Sequence, residues 1–600
     1  MSDLLSAGSL KEIRESGVKV VKGKSHGIAV FYHEGKVYAV DNRCPHMGFP
    51  LHQGRIRDCI LTCEWHHARF DIQSGGTLDP WADDVTTYPV VVENGQVWVD
   101  PGHRVTPRNR VNEGGVDLTP SPRCRGTVDR HRKRLREGLE QNLSLVIAKA
   151  VVGLMEAGEP AEEVARIGVE FGTTHRRSGW RSGLTILTAM LNILPKLDQK
   201  GKVLALFQGL VHVARESAGE GTRFILEPLP EKKADIQRLF RWYRHAVEVR
   251  DTQGAERILL TAIRSGATEK QLTDMMMAAV TGHFYMDAGH VLDFHNKAFE
   301  MLERIGPEHR ERVLTSLLPD LGDAERSEEL HSWQSPVDLV RPLKRAFEAM
   351  KEIPEKGDPG AVDEEELIRL LLGDRPEETV QGMLRSLRRG LSPVRLSQLV
   401  TLAAGERIAR FHVQNDFSDW IAVLHTFTHA HAVHRSLRRS PSKELLRGGF
   451  HTAMRIYLDR FLNIPAARRP RGEANSRQAP QDVGQLLALM NQQQQVAEAA
   501  EWVVTYLDRG GDKGVLFNTL GHALLREDAE FHSFQMMEAA WKEHDEWAEE
   551  NSDLAEEAQR TMIIALARYL AAHAPTAREL PHVARIAQRL HRGEKLFEEV

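Results

Sequence analysis

Only four cysteines, Cys44, Cys59, Cys63 and Cys124, occur in 600 residues. So few exclude a disulfide framework for a chain of this size, and a reducing cytosol would not keep one. No apolar run reaches the ~20 residues that a membrane-spanning helix needs. The N-terminal MSDLLSAGSLKEIRESG lacks the charged-then-apolar pattern of a secretory leader. Neither sign of charge dominates: 79 Lys and Arg against 84 Asp and Glu leave a formal charge of −5, with no global pull toward nucleic acid or an anionic membrane. A cytoplasmic protein that binds neither is expected. Hydrophobic residues at 41% support folded domains rather than disorder, and the length is too great for a single core.

The unusual count is histidine, at 28. Sparse cysteines lying close to histidines read as metal ligands. The first hundred residues carry short β-branched and aromatic runs at 18–23, 27–33, 36–41, 59–63, 86–92 and 96–99, separated by Gly-containing turns such as His33-Glu34-Gly35 and Glu93-Asn94-Gly95. A small all-β domain over residues 1–103 is predicted.

Two loops interrupt it: Cys44-Pro45-His46-Met47-Gly48, and Cys63-Glu64-Trp65-His66-His67-Ala68-Arg69-Phe70-Asp71. Two thiolates and two imidazoles on paired loops can hold zinc. They can equally hold a [2Fe–2S] cluster, with both thiolates on one iron and both imidazoles on the other. The motifs CPHMG and CEWHHARFD, with Ser74-Gly75-Gly76 and Leu78-Asp79-Pro80 after them, resemble the Rieske family. The resemblance covers nearly the whole first hundred residues and implies a cluster held by Cys44, His46, Cys63 and His66. Respiratory-chain members of that family carry an extra cysteine in each loop; here residues such as Phe49 and Trp65 stand there. The chain is thus similar to the ferredoxin and oxygenase branch, which implies electron exit through the edges of His46 and His66, with Trp65 and Phe70 shielding the cluster. His67 is read as a solvent-facing neighbour rather than a ligand.

Residues 104–137, with Pro107, Pro120, Pro122 and the basic run Arg130–Arg134, read as a linker. Cys124 falls in it with no ligand nearby. Beyond it, apolar residues recur at three- and four-residue spacing in spans such as 234–266, 269–304, 397–438 and 513–546. Pro/Gly-rich breaks fall at 354–364 and 465–482. A faint recurrence of histidine-bearing helix pairs predicts a helical array over 138–600. The expected fold is multidomain: a small all-β Rieske domain followed by a large all-α domain of repeated helix pairs.

Read as continuous helices, three segments place histidines on apolar faces. Segment 269–304 aligns His283 and His290, segment 513–546 aligns His522 and His532, and 416–438 aligns His431 and His434, with His425 and His429 on an adjacent face. Each alone reads as a hydrogen-bonded core histidine. Together they fit a non-haem iron centre in a helical bundle, with His283, His290, His425, His434, His522 and His532 as candidate ligands. Asp287, Asp293, Glu527, Asp528 and Glu530 are carboxylates able to complete or orient it. Asp287-x-x-His290-x-x-x-x-His295 is also similar to a Rieske-oxygenase pattern, which implies iron on both histidines and Asp287 as a catalytic bridge to the cluster. That family's catalytic domain is mixed α/β, however, and strands are lacking here. The helical part more loosely resembles the questin oxidase-like proteins, which implies O2-dependent oxidation of a bulky aromatic, with Trp420, Phe427, Phe284 and Tyr285 as pocket walls.

These readings point to a self-contained oxygenase. An external ferredoxin or NAD(P)H-dependent reductase would feed the cluster, and the cluster an iron acting on O2 and an apolar or aromatic substrate. The alternative is an electron-transfer protein whose helical domain is a docking module.

Overall fold

A computed structural model describes residues 4–23, 27–102, 123–230, 234–353, 362–472, 482–594 and 596. The chain divides into two compact units, residues 1–159 with 582–600, and residues 160–581.

The first unit is built on ten short strands: β1 (Leu5–Ser9), β2 (Val18–Lys22), β3 (Gly27–His33), β4 (Lys36–Asp41), β5 (Arg55–Arg57), β6 (Ile60–Thr62), β7 (Arg69–Asp71), β8 (Thr87–Tyr88), β9 (Val90–Glu93) and β10 (Gln96–Val99). They form three antiparallel sheets in the orders β1-β10-β9, β2-β3-β4-β8 and β5-β6-β7. Successive side chains of a strand point to opposite faces, and β3 feeds two cores in this way. Ala29 and Phe31 join Leu51, Leu61, Phe70, Cys44 and Cys63, whereas Ile28 and Val30 join Ile13, Val97 and Val99. The small β5-β6-β7 sheet carries the second cysteine loop between β6 and β7.

Helix α1 (Leu10–Ser16) starts in a capping box formed by Ser9 and Glu12. The expected linker over 104–137 is helix in its second half: α2 spans Arg123–Glu140 and packs on α3, Ser144–Glu156. Both helices belong to the same compact unit as the β domain. Residues 103–122 and the Cys124 side chain lie outside what the structure describes.

Among its described residues the second unit has helices and connecting loops but no strand. Consecutive helices pair, as in Ser182–Ile193 with Gln199–Ser217, Pro393–Ala409 with Phe417–Arg439, and Phe531–Trp547 with Asp553–His573. Several expected long helices are split. Apolar periodicity runs across each break, but an acidic residue there turns its side chain onto the free N–H groups of the following helix. Asp251, Asp416 and Glu530 cap the helices Thr252–Arg264, Phe417–Arg439 and Phe531–Trp547 in this manner. The 269–304 span divides differently: Glu269–Val280 ends at Thr281, and Tyr285, Asp287, Ala288 and Gly289 hold left-handed φ of 41°, 47°, 53° and 95° before His290–Ile305 begins. Of the breaks expected at 354–364 and 465–482, residues 354–361 and 473–481 lie outside the described residues. No helix among those described is long and apolar enough to cross a membrane.

Candidate metal centres

In the first unit the two cysteine loops are built alike. Cys44 N–H donates to Phe49 O and Gly48 N–H to Cys44 O; Cys63 N–H donates to Ala68 O and His67 N–H to Cys63 O. The fourth residue after each cysteine position must be left-handed, with φ 83° at Gly48 and 61° at His67. That turn gives His67 a structural place, not a ligand's. Both sulfurs are buried and share a hydrogen bond, which holds Cys63 down at about 6 and pushes Cys44 up. Backbone N–H groups of His46 and Met47 serve the Cys44 sulfur, and those of Trp65 and His66 the Cys63 sulfur.

The two imidazoles face each other edge-on, 5.0 Å between centroids. His46 Nδ1 is buried with no hydrogen-bond partner. Paired sulfurs ringed by N–H donors, paired imidazoles and an orphaned ring nitrogen fit a cluster with thiolates on one iron and imidazoles on the other. The imidazoles differ in surroundings. His66 is exposed, whereas burial, with Lys149 second, pushes His46 down to about 4. Phe70 is fully buried, but Trp65 stays 38% exposed. The ring packed on His46 is Trp81, at 4.7 Å, which the sequence reading passed over.

The family model for the Rieske [2Fe–2S] domain matches residues 4–89. The ferredoxin component of the naphthalene 1,2-dioxygenase/salicylate 5-hydroxylase systems of Ralstonia sp is 36% identical over 94 residues, 16% of this chain and 90% of that protein. The chain belongs to the Rieske family through its N-terminal domain. The ferredoxin component of the Pseudomonas putida naphthalene 1,2-dioxygenase system is 33% identical over 97 residues, 16% of this chain and 93% of that one. The solved Sphingomonas yanoikuyae B1 ferredoxin shares 28% identity over 16% of this chain and 98% of its own, at a TM-score of 0.16. The Rieske domain implies a [2Fe–2S] cluster, and the relatives tie it to electron transfer in oxygenase systems.

In the second unit, three of the six candidate histidines converge. One ring nitrogen each of His290, His425 and His532 lies within 4.8 Å of the others. His425 Nε2 and His532 Nε2 are 2.8 Å apart. The Glu530 carboxylate caps its helix and also binds His532 Nδ1 at 2.9 Å, directing Nε2 toward the other two rings. Against the burial that raises it, His532 and Ser533 hold Glu530 down at about 2. Burial and the neighbouring rings push His290 to about 3 and His425 to about 2, so both imidazoles are neutral, as a metal ligand must be. Phe294 and Phe531 pack on His290 at 5.3 and 5.7 Å.

The other three candidates lie elsewhere, each for a local reason. The break after Val280 takes His283 off the face of His290; its Nδ1 meets Glu328 at 2.8 Å and its Nε2 Glu248 at 3.2 Å. The Glu530 cap separates His522 from His532, and His522 Nε2 binds Asp198 at 2.9 Å. His434 and His431 share the Glu543 carboxylate, at 2.9 and 2.7 Å. His295 turns Nδ1 to Val291 O at 2.7 Å, so the pattern beginning at Asp287 does not bring its two histidines together. Asp287 itself sits in the left-handed turn leading into His290, its N–H donating to Glu325 O. Trp420, Phe427, Phe284 and Tyr285 are buried; Phe284 stacks near His451, and Tyr285 lies edge-on to His429.

A second grouping, Glu300, His431 and Glu538, also has the spacing of a metal site and is fully buried. Two ammonium groups already occupy it. Lys297 Nζ lies 2.9 Å from Glu300 and 2.6 Å from Glu538, and Lys542 Nζ 3.1 and 3.0 Å from the same pair. Asn192 donates to both carboxylates. This charge network ties together the helices that carry His290, His425 and His532. A cavity of about 650 Å³ lined by Phe347, Met350, Leu387, Leu446 and Arg447 has none of those three histidines in its wall.

Proposed function

We propose that the chain is a self-contained non-haem iron oxygenase. Cys44, His46, Cys63 and His66 would hold a [2Fe–2S] cluster, which would supply one-electron transfer from an external ferredoxin or NAD(P)H-dependent reductase. His290, His425 and His532 would hold an iron serving O2-dependent oxidation of an apolar or aromatic substrate. The observation that carries this reading is the convergence of three imidazole nitrogens, one of them on a ring oriented by the Glu530 carboxylate. Three imidazoles with open positions suit zinc, copper, iron or nickel. A one-electron carrier on the same chain favours a redox metal, and iron when bound supplies the capacity to bind and reduce O2.

The residues of the chain do the rest. Glu530 fixes the tautomer and direction of His532. Phe294 and Phe531 cover His290 on its apolar side and restrict water there. The buried Lys297–Glu300–Glu538–Lys542 network holds the presenting helices in register.

The relatives' own names favour one other reading, because they are ferredoxin components. On that reading the helical unit is a docking module for a separate enzyme. Rapid mixing separates the two. The chain is reduced under nitrogen, mixed with O2, and the visible absorbance of the oxidised cluster is followed. The oxygenase reading expects reoxidation at least tenfold slower in His425→Ala than in the unaltered chain. Equal rates would favour the docking module.

A further inference from the structure

Lys149, on α3, lies outside the motifs that define the cluster loops, yet it reaches into the first of them. Its Nζ donates to Pro45 O at 2.7 Å, between the ligand positions Cys44 and His46, and lies 3.3 Å from Asp83. Asp83 is also held by Arg134 of α2, at 2.8 Å. The Lys149 side chain is partly buried, with 16% of it exposed.

The Pro45 carbonyl and the His46 N–H belong to one peptide unit, and that N–H serves the Cys44 sulfur. A donor on the carbonyl oxygen polarises the amide and strengthens its N–H as a donor, the cooperative effect seen along hydrogen-bond chains. Three groups thus stand in series: the Lys149 ammonium, the Pro45–His46 peptide and the Cys44 sulfur.

We infer that Lys149 is a positioning residue that raises the reduction potential of the Rieske cluster, through its charge and through the Pro45–His46 peptide. The sign follows from charge. Two ferric ions, two sulfides, two thiolates and two neutral imidazoles sum to zero. Uptake of one electron from the reductant converts one iron to ferrous and leaves a single negative charge. A nearby, partly buried cation favours the reduced form, and so does a stronger N–H bond to the ligand sulfur. The inference rests on the Rieske domain and is independent of iron in the helical unit.

The test is an equilibrium redox titration of the full chain, followed by electron paramagnetic resonance and visible circular dichroism. Lys149→Met keeps the length and removes the charge. At the wild-type midpoint its ratio of reduced to oxidised cluster should fall about threefold or more, roughly 30 mV at 59 mV per tenfold for one electron. Lys149→Arg should stay within about twofold, as should Lys19→Met, an exposed change in the same domain. A Lys149→Met chain with full cluster content and an unchanged midpoint overturns the inference. If Lys149→Met assembles no cluster, Asp83→Asn decides, since it leaves the Lys149 charge uncompensated. A higher reduced fraction supports the role, and an unchanged or lower one overturns it.

Discussion

Nε2 of His425 lies 2.8 Å from Nε2 of His532, although 107 residues separate them in the chain. Two imidazoles at that distance can share one hydrogen, or both can turn lone pairs to one cation, and His290 supplies a third nitrogen within 4.8 Å. Alanine at His290, His425 or His532 should remove bound iron from the helical unit. Alanine at His283, His434 or His522, whose ring nitrogens already meet carboxylates, should leave it unchanged. Iron per chain, corrected for cluster content by absorbance, checks both halves.

Glu530 has two tasks: it caps the Phe531–Trp547 helix and holds His532 Nδ1. Glu530→Gln keeps an acceptor for the cap but loses the charge that favours the correct His532 tautomer. Iron affinity should drop by roughly 10–100-fold, the usual effect of removing such a partner, while helical circular dichroism is retained. Competition with a chelator gives the number.

Lys297 is the cation between Glu300 and Glu538, and all three are almost wholly buried. Removing one member of such a network leaves a buried charge without compensation, which costs about 3–5 kcal/mol. Lys542 still serves both carboxylates, so Lys297→Met should fall toward the lower end. The denaturant midpoint of the helical signal should move down accordingly, and an unchanged midpoint would deny the network its structural role.

Asp293 carries a pH dependence with a definite sign. Burial pushes its carboxyl up to about 7, against ~3.9 in an unfolded chain. The folded protein therefore prefers the protonated acid. Its contribution to stability is full below about pH 4 and is lost as pH rises to about 7. Gln535 donates to one oxygen, and the other has no partner. Asp293→Asn should leave stability near pH 4 unchanged and raise it by up to a few kcal/mol above pH 7. Paired denaturant curves at pH 4 and pH 8 measure the difference.

The β domain and its cluster loops were legible in the sequence because their determinants are local. Alternation marks β3 and β4, and each cysteine sits within three residues of its histidine. Lys149 and Trp81 were not, since one arrives from α3 and the other follows the conspicuous Leu78-Asp79-Pro80. In the helical unit the periodicity located helices but ran across their breaks. The Glu530 cap and the left-handed turn from Tyr285 to Gly289 changed which histidines share a face. His290, His425 and His532 therefore stood among the candidates with nothing in the sequence to separate them from His283, His434 and His522. That separation comes from tertiary partners: Glu328, Glu543 and Asp198 each hold one of the other three rings.

The most direct test of the central claim is the iron content of anaerobically purified Cys63→Ala chain, which lacks a ligand of the cluster. The account predicts that close to one iron per chain remains, and that it disappears when His425→Ala or His532→Ala is added. Iron that falls to zero with the cluster alone would contradict it and leave the chain an electron carrier with an attached helical module.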